Sequence, residues 1–423
     1  MQETEKGSVV SSHFTPEDRR FLLDLRRSLH RAPELSWQEH GTRDRLRAAL
    51  HACGVTDIVD VADTGLVARV PGSASGSANA SANGSANGSA KGGASGGNRV
   101  PTVAVRGDID ALPITELTGL PFASETPGVM HACGHDMHAA WAVGAAMLLA
   151  RKPAPGDVRI VLQPAEEVGE GAARVLASGA LDDVQAIFGA HVDWRFNVGE
   201  VVADSGPLAA STDTFSVTFT GRGGHGARPQ DAIDPIVGLS SFVMEVQTIV
   251  SRRLDPALPG VITVGTVEAG NAANVIPETA TCTGTVRATT ISSRQLLLSE
   301  LKTMAESIAV AHRLTAVVIF SEGTPPLVNS VRGAEWAKTS ARALLGDAAL
   351  RSLAVANMGG EDFSFYLERM EGCFMRVGTL RSGAESIGVH NPRFDPDEEA
   401  LFVGTALLAT CARTASAALA NGG

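Results

Sequence analysis

The sequence predicts an α/β protein, in which a mostly parallel sheet has helices on both faces and a smaller α+β domain is inserted into the chain. Short apolar runs alternate with helical segments over the first half of the chain and again near its end, which is typical of a parallel sheet. Between these parts, residues 214–220 alternate polar and apolar side chains with the period of a half-exposed strand. The chain has 423 residues, enough for two domains.

The first domain is predicted to begin with two amphipathic helices, 16–31 and 38–53. Thr15 and Pro16 are a suitable cap and first residue for the first helix. Further strands and helices are expected at 100–105, 136–150, 158–162, 186–190, 331–345, 373–377 and from about 396 onward. Because open parallel sheets bind ligands at strand C-termini, residues that follow these strands are candidate functional groups.

A low-complexity segment and a change of pattern indicate the domain organisation. Residues 72–98 are almost wholly Gly, Ser, Ala and Asn, which predicts a flexible surface insertion because such a segment buries little apolar area. Residues 207–321 show the order β-α-β-β-α-β, which resembles a ferredoxin-like sandwich. We therefore expect a discontinuous first domain, 1–206 and 322–423, with the second domain inserted at 207–321.

Composition excludes several classes of function. The net charge of −11 argues against nucleic acid as a partner, since phosphate binding needs a basic surface. The polar N-terminus lacks the apolar core of a secretory signal, and we find no apolar run of the roughly 20 residues that a membrane span needs. Five cysteines, an odd number, favour free thiols in a reducing compartment. We therefore expect a cytoplasmic protein that binds neither nucleic acid nor membrane.

The greatest concentration of potential metal ligands lies at 131–138, which holds three His, one Cys and one Asp. Thiolate, imidazole and carboxylate groups bind zinc and similar metals. A structural zinc site would need a second cluster at finger or ribbon spacing, and the sequence has none. Single candidate ligands follow instead, at Glu166, Glu167, His191 and His390. This pattern predicts a catalytic metal site assembled from several strand ends.

The other cysteines and histidines are expected to have simpler roles. Small buried side chains are expected at the four cysteines in apolar contexts, Cys53, Cys282, Cys373 and Cys411. The neighbours of Cys133, in contrast, are expected to lower the pKa of its thiol. Solvated or helix-capping positions are expected for five histidines, His13, His30, His40, His51 and His312.

The adjacent carboxylates Glu166 and Glu167 follow a buried strand and can divide two tasks between them. One can ligate a metal while the other, as general base, takes a proton from a water whose pKa the metal lowers from about 16 to about 7. A solvated acidic turn is the simpler interpretation of such a pair. The position of the pair at a strand end, after a cluster of ligands, favours the functional interpretation.

Seven motifs together resemble one known family. They are residues 106–113, 131–138, 163–167, 221–229, 274–277, 359–363 and 390–394, in that order. The chain resembles the M20 metallopeptidase family, in its amidohydrolase branch of hippurate hydrolases, N-acyl-amino-acid amidohydrolases and auxin-conjugate hydrolases. The resemblance covers nearly the whole chain outside the low-complexity insertion. It also implies a catalytic domain with an inserted lid and dimerisation domain, in agreement with the organisation above.

The resemblance implies roles for the candidate residues. Two divalent ions, Mn²⁺ or Zn²⁺ first and Co²⁺ or Ni²⁺ as alternatives, would be held by Cys133, His135, Glu167, His191 and His390. Glu166 matches the general base. Asp108 and Asp110 would lie behind the ligands, and Asp110 is favoured to orient a ligating imidazole. Packing at a helix start or additional ligation stays open for the three remaining residues, His131, Asp136 and His138.

The resemblance also implies roles in the inserted domain and a homodimer formed through that domain. His225 would polarise the scissile carbonyl oxygen, often across the dimer interface, as an oxyanion-stabilising group. Asn274 and Arg287 match positions that bind substrate carbonyl and carboxylate groups, the latter suited to the forked guanidinium. Glu361, next to Asp362, is expected near the floor of the substrate pocket.

The implied activity is hydrolysis of the amide bond of N-acyl amino acids, which are small molecules, to a carboxylic acid and a free amino acid. A dipeptidase or aminobenzoyl-glutamate hydrolase with the same two-metal mechanism is the alternative. A cysteine hydrolase, with Cys133 as nucleophile and His135 as base, would differ in surviving chelation. A non-catalytic binding protein is disfavoured because Glu166 and all the candidate ligands are present.

Overall fold

The computed structural model describes residues 10–74 and 100–422, so that the predicted insertion, apart from residues 72–74, lies outside the described residues. The chain divides into two compact units. The first unit comprises Met1–Gly206, Asn329–Ala354 and Phe365–Gly423, and the second comprises Pro207–Val328 and Val355–Ser364.

Strands and helices alternate over much of the chain. The strands are β1 (Asp57–Val61), β2 (Gly65–Val70), β3 (Thr102–Asp108), β4 (Val158–Gln163), β5 (Val184–Asn197), β6 (Val201–Val202), β7 (Gly206–Ala209), β8 (Asp213–Thr220), β9 (Gly224–His225), β10 (Gly260–Ala269), β11 (Val275–Ile276), β12 (Thr279–Ala288), β13 (Thr315–Ser321), β14 (Leu327–Asn329), β15 (Leu350–Arg351) and β16 (Glu371–Leu380). The helices are α1 (Pro16–Arg31), α2 (His40–Ala52), α3 (His135–Arg151), α4 (Gly171–Ala177), α5 (Pro235–Glu245), α6 (Gln247–Arg252), α7 (Ile291–His312), α8 (Val331–Leu345), α9 (Ser364–Leu367) and α10 (Ala400–Ala420).

The first unit contains an eight-stranded sheet with the order β1-β2-β4-β3-β5-β16-β6-β15. The four middle strands, β4, β3, β5 and β16, are parallel neighbours, which confirms the predicted mostly parallel sheet. Register places Asp108 of β3 beside Gln163 of β4, and His191 of β5 beside Arg376 of β16. The carboxyl ends of β3 and β4 therefore meet, and this edge is where an open α/β sheet places functional groups.

Two long apolar helices, α3 and α10, pack against each other and against β3. Helix α3 is buried along all its residues except the last two, as expected of a helix that is apolar on every side. Gly404 of α10 lies directly against Trp141 of α3, where an added Cβ would come within 2.3 Å of the indole ring. The close approach of these two helices therefore requires glycine at this position.

The length of α10 corrects one expectation from the sequence. Among the described residues, α10 meets the length and composition of a membrane span, with a mean hydropathy of 1.3 over its most apolar 18 residues. However, 78% of that window is buried, and α10 contacts α3, α8, β3, β5 and β16. The apolar character of α10 is thus explained by its place in the core of the first unit.

A buried ion-pair network joins α1 to the first turn of α3. Asp136 lies 2.7 Å from Nε of Arg26 and 2.9 Å from Nδ1 of His30, and Nε2 of His30 lies 3.3 Å from Glu116. The expected solvated position of His30 was wrong, because its side chain is only 1% exposed and has a carboxylate beside each ring nitrogen. Burial lowers the pKa of His30, but Asp136 and Glu116 outweigh burial and raise it above 6.5.

The second unit contains a four-stranded antiparallel sheet with the order β10-β12-β8-β13. Its chain order is the predicted β-α-β-β-α-β, and α5 and α7 pack on the sheet. The period-two pattern of β8 has its expected cause. Phe215, Val217 and Phe219 are buried in the core of this unit, and the residues between them are half-buried or exposed.

The boundaries of the second unit differ from the predicted 207–321 in two places. The unit extends to Val328, where the N–H of Thr324 donates to Thr212 Oγ1 at 2.9 Å. It also contains Val355–Ser364, because the N–H of Asn357 donates to the carbonyl of Leu208 at 2.9 Å. Sequence separation conceals such backbone pairs, so residues 322–328 and 355–364 were wrongly assigned to the first domain.

We expect His30→Ala to destabilise the protein by about 3 kcal/mol at pH 5.5, because it leaves Asp136 buried with one cation fewer. A group whose pKa is raised by folding stabilises the folded state fully below its unfolded pKa of about 6.5 and loses that effect as pH rises through the folded pKa. The destabilisation should therefore be smaller at pH 9, as measured by urea unfolding. His51→Ala, at an exposed position of α2, is the control; equal destabilisation by His30→Ala at both pH values would contradict this account.

Candidate metal centre

The segment from Cys133 to His135 connects a loop to the first turn of α3. Gly134 adopts φ +82°, and a Cβ at this position would lie 2.8 Å from Val192 Cγ2, so the turn needs glycine. The tight turn places Cys133 just before the helix and His135 as its first residue. Both side chains are buried. The dense motif of the sequence thus contributes two neighbouring ligands from a rigid helix start.

The structure brings the six predicted residues of the metal centre together. Cys133 Sγ lies 3.4 Å from His191 Nε2. His135 Nε2 lies 3.8 Å from Glu166 Oε2 and 3.8 Å from Glu167 Oε1. His390 Nε2 lies 3.6 Å from the same Glu167 oxygen. The side chain of His390 is half-exposed, whereas those of His135 and His191 are buried. Solvent therefore reaches the cluster from the His390 side.

The candidate ligands form two groups that share the thiol of Cys133. One group is Cys133, His135 and His191, the other is Cys133, Glu167 and His390, and the donor atoms of each group lie within 4.8 Å of one another. Among the described residues, His135 Nε2 and Glu167 Oε1 are buried and have no hydrogen-bond partner, which costs about 1–3 kcal/mol for each group. A divalent cation would satisfy both atoms, and mixed sulfur, nitrogen and oxygen donors suit zinc and neighbouring metals. The residues therefore fit two divalent ions, and Cys133 belongs to both groups that would hold them.

Asp110 holds three groups of this site with one carboxylate. Its Oδ1 lies 3.2 Å from His135 Nδ1, and its Oδ2 accepts the N–H of Glu167 at 3.0 Å and the hydroxyl of Ser36 at 2.8 Å. In the neutral form of His135, donation from Nδ1 to Asp110 would leave the Nε2 lone pair directed toward the ligand groups. The orienting role that the sequence favoured for Asp110 agrees with this geometry.

Asp108 is held from two sides and is not exposed. It accepts hydrogen bonds from Arg106 Nη1 and, at 2.7 Å, from His138 Nδ1. The Nε2 atom of His138 accepts the N–H of Val192 at 3.0 Å, so both ring nitrogens are used within the protein. His138, whose role stayed open, thus contacts Asp108 and the strand that carries His191, and it also belongs to a group of candidate ligands with Asp108 and His135. Burial raises the pKa of Asp108, but Arg106 and His135 lower it well below its usual value.

The other two residues whose roles stayed open lie on the far side of the helix start. Asp136 pairs with Arg26 and His30, as described above. His131 is buried, neither ring nitrogen has a hydrogen-bond partner among the described residues, and burial lowers its pKa to about 4. Among the described residues, neither of them belongs to a group of candidate ligands.

Sequence reasoning missed a buried polar layer behind Asp108. Arg106 Nε donates to Gln163 Oε1 at 2.8 Å, and the hydroxyl of Tyr366 donates to the same oxygen at 3.1 Å. All three side chains are at most 1% exposed. An arginine and a glutamine in otherwise apolar strands were the available signal, since buried polar side chains are rare without partners.

The protonation behaviour of the site corrects one prediction. Burial, and after it the Glu167 carboxylate, raise the pKa of the Cys133 thiol well above its usual value. The prediction that its neighbours lower this pKa was therefore wrong for the metal-free protein. Burial also raises the pKa of Glu167, to about 7. A nearby divalent cation reverses this balance and removes the proton from a ligating thiol. A thiol with a raised pKa is, in contrast, a poor nucleophile, which disfavours the cysteine-hydrolase alternative.

The four other candidate residues lie in the second unit. His225 is exposed on β9, its Nδ1 accepts the N–H of Ala227 at 3.0 Å, and the pairing of β9 with β11 brings it close to Asn274. The N–H of Gly226 donates to the carbonyl of Asn274 at 2.8 Å. Arg287 is half-buried on β12. Glu361 is buried and accepts the N–H of Phe363 at 3.0 Å.

Comparisons with known proteins identify the family of the chain. A model of the peptidase family M20/M25/M40 matches residues 104–414. N-acetylcysteine deacetylase of Bacillus subtilis (strain 168) is 38% identical over 395 residues, 92% of this chain and 96% of that protein. IAA-amino acid hydrolase ILR1-like 4 of Arabidopsis thaliana is 35% identical over 93% of this chain and 85% of that protein. The crystal structure of the Bacillus subtilis YXEP protein, a dinuclear metal binding peptidase from the M20 family, is similar with a TM-score of 0.78 and 34% identity, and covers 94% of this chain and 98% of that one.

We expect Asp110→Asn to weaken Zn²⁺ or Mn²⁺ binding by about 10- to 100-fold, as measured by competition with a chromophoric chelator. Asparagine offers one acceptor oxygen where Asp110 meets three donors, so His135 or the Glu167 backbone loses its partner. Asp157→Asn is the matched control, because this buried carboxylate likewise accepts a backbone N–H together with a side-chain N–H, from Arg69, but precedes β4 and so lies away from the acidic residues that follow that strand. Unchanged metal affinity in Asp110→Asn would contradict the orienting role.

Proposed function

We propose that the substrates of this chain, which belongs to the M20/M25/M40 peptidase family, are N-acyl amino acids. The chain is a hydrolase of amide bonds, and such substrates contain one. The products would be a carboxylic acid and a free amino acid. The observation that carries this proposal is the Glu166–Glu167 pair within 3.8 Å of His135, beside two ligand groups that share Cys133. Two relatives named for N-acetylcysteine and for IAA-amino acids support the substrate class.

Two divalent ions, Mn²⁺ or Zn²⁺ first and Co²⁺ or Ni²⁺ as alternatives, would be held by Cys133, His135, Glu167, His191 and His390. When bound, such ions supply a water of lowered pKa and polarise a carbonyl oxygen. Glu166 belongs to neither of the two groups that share Cys133, and its side chain is 11% exposed. Glu166 also forms a group with His135 and Glu167, and we propose that it acts beside the ions as the general acid–base group, which would accept a proton from the attacking water and deliver it to the leaving nitrogen.

The second unit would bind the substrate. Since Nδ1 of His225 accepts a backbone N–H, the neutral ring carries its hydrogen on Nε2, which is a donor suited to the carbonyl oxygen of an amide. Asn274, held beside His225 by the β9–β11 pair, would donate to a substrate carbonyl. Arg287 would bind the carboxylate of the amino acid. Glu361 would line the floor of the pocket.

A homodimer formed through the second unit is part of the proposal. This unit exposes Met244 at 74%, Val310 at 79% and Ile319 at 63%, and such apolar side chains support an interface. The enzyme would act in the cytoplasm, a reducing compartment that suits five cysteines that are all free thiols.

The first test is a hydrolysis screen on hippurate and on acetyl, long-chain acyl and indoleacetyl amino acids, with dipeptides in parallel. Each assay runs with Mn²⁺, with Zn²⁺ and after chelation. We expect metal-dependent release of a free amino acid, and a kcat lower by about 10²- to 10⁴-fold in Glu166→Gln, which removes the general base but not a ligand.

Dipeptide turnover without turnover of any acyl substrate would replace the proposed substrate class by the dipeptidase alternative. Activity that survives chelation would reject the metal mechanism and favour a cysteine hydrolase with Cys133 as the nucleophile. Metal binding by Glu166→Gln, measured with the chromophoric chelator, is the control that separates loss of a base from loss of a metal site.

Dimerisation and the role of His225 can be tested together by mixing Glu166→Ala and His225→Ala proteins under conditions that exchange subunits. If His225 serves the site of the partner subunit, each mixed dimer contains one complete site, and random exchange restores about one quarter of wild-type activity. If His225 serves its own subunit, both sites of the mixed dimer are defective and no activity returns. Light scattering verifies the dimer, and a monomer would reject this part of the proposal.

A further inference from the structure

Glu39 is a buried carboxylate at the beginning of α2 that does not cap its own helix. It occupies the N-cap position, yet its side chain accepts no hydrogen bond from the first turn of α2. The side chain is not exposed, and its Oε1 instead accepts the N–H of Ala165 at 2.9 Å. Its Oε2 accepts the hydroxyl of Thr64 at 2.6 Å. The protein thus buries a charged group, at a cost, to hold a backbone atom 126 residues further along the chain.

The residue that Glu39 holds begins the acidic turn, residues 165–169, which carries Glu166 and Glu167. Ala165 adopts φ +54°, a left-handed conformation that is unfavourable for a residue with a Cβ. The turn closes tightly after it, since the N–H of Gly171 donates to the Ala165 carbonyl at 3.2 Å and a Cβ on Gly171 would lie 1.7 Å from the Pro164 carbonyl oxygen. A strained residue persists only where its surroundings determine its conformation.

From these contacts we infer that Glu39 is a positioning residue for the general base, and that its carboxylate fixes the strained Ala165 backbone from which Glu166 and Glu167 reach the metal ligands. The inference rests on the proposed function of Glu166. It assigns a task to the α1–α2 loop, residues 32–39, which contacts Asp110 through Ser36 and the backbone of Ala165 through Glu39.

Two further hydrogen bonds attach the same loop to the segment that follows β3. The N–H of Ala111 donates to the carbonyl of Glu34 at 2.9 Å, and the hydroxyl of Ser36 donates to Asp110 at 2.8 Å. Asp110 in turn accepts the N–H of Glu167. The loop therefore reaches the acidic turn twice, directly at Ala165 and through Asp110 at Glu167.

The test compares Glu39→Ala with Glu39→Gln in the full-length, metal-loaded enzyme on the best substrate of the screen. We expect Glu39→Ala to lower kcat by about 10²-fold with KM changed less than about threefold, because a displacement of about 1 Å in a reacting group has effects of this size. Glu39→Gln should keep kcat within about threefold of wild type, since its amide oxygen can accept the Ala165 N–H while its amino group donates to Thr64.

Glu34→Ala is the matched control. The Glu34 carboxylate belongs to the same loop and accepts two backbone N–H groups, those of Gly41 and Thr42, but does not contact the acidic turn. We expect it to lower thermal stability while leaving kcat within about threefold of wild type. Equal losses of kcat in Glu34→Ala and Glu39→Ala, or a loss in Glu39→Gln as large as in Glu39→Ala, would overturn the inference.

A second variant tests the backbone directly. Glycine adopts positive φ about as readily as negative φ, so Ala165→Gly in the Glu39→Ala background should recover at least about fivefold of the lost kcat. No recovery would mean that Glu39 does not act through the conformation of Ala165.

Hydrogen exchange of the metal-free protein gives a readout that does not depend on activity. In Glu39→Ala the amides of residues 165–171 should exchange faster by about tenfold or more, and in Glu34→Ala they should exchange as in wild type. Unchanged exchange in Glu39→Ala would overturn the inference. If no substrate is hydrolysed, the proposed function fails, and the exchange measurement still decides whether Glu39 holds the turn.

Discussion

The carboxylate of Asp110 connects the segments of chain on which the candidate metal centre depends. One oxygen faces His135 on α3, and the other accepts the backbone N–H of Glu167 after β4 and the hydroxyl of Ser36 before α2. Because Asp110 follows β3, a middle strand of the sheet, all three groups are positioned relative to the end of that strand. Ligands from distant segments need such a common reference, since metal affinity depends on how firmly each ligand is oriented.

Burial in the same region opposes the ionisation of two candidate ligands, Cys133 and Glu167. Arg106 pairs with Asp108, but burial leaves Glu167 with a pKa of about 7 and Cys133 with a pKa well above its usual value. Two divalent ions would make the charged forms of both groups favourable. Metal binding at this centre therefore competes with protons, and part of the free energy of metal binding offsets the cost of burying the ligands in the folded chain.

Local patterns were enough to predict the parallel sheet and the β-α-β-β-α-β order, and they indicated a pool of candidate ligands from which the family resemblance selected five. Hydrophobic period and motif order are properties of neighbouring residues, and the sequence displays them directly. Long-range partners are not displayed in this way. His30 lies 106 residues from Asp136, and Glu39 lies 126 residues from Ala165, so neither side chain revealed its role. The direction of the Cys133 pKa shift was wrong for the same reason, because burial and the Glu167 carboxylate are products of tertiary folding.

Helix α3 shows how core packing determines the geometry of the site. Its first residue is the candidate ligand His135, its second residue, Asp136, is paired with Arg26 of α1, and the rest of the helix is buried to within two residues of its end. A displacement of His135 would require the close contact between Trp141 and Gly404 to open as well. Protein interiors are too densely packed to allow such a shift cheaply. The position of His135 is therefore determined by apolar packing. The polar side chains Asp110, Glu39 and Asp108 then position the loops outside the core by hydrogen bonds.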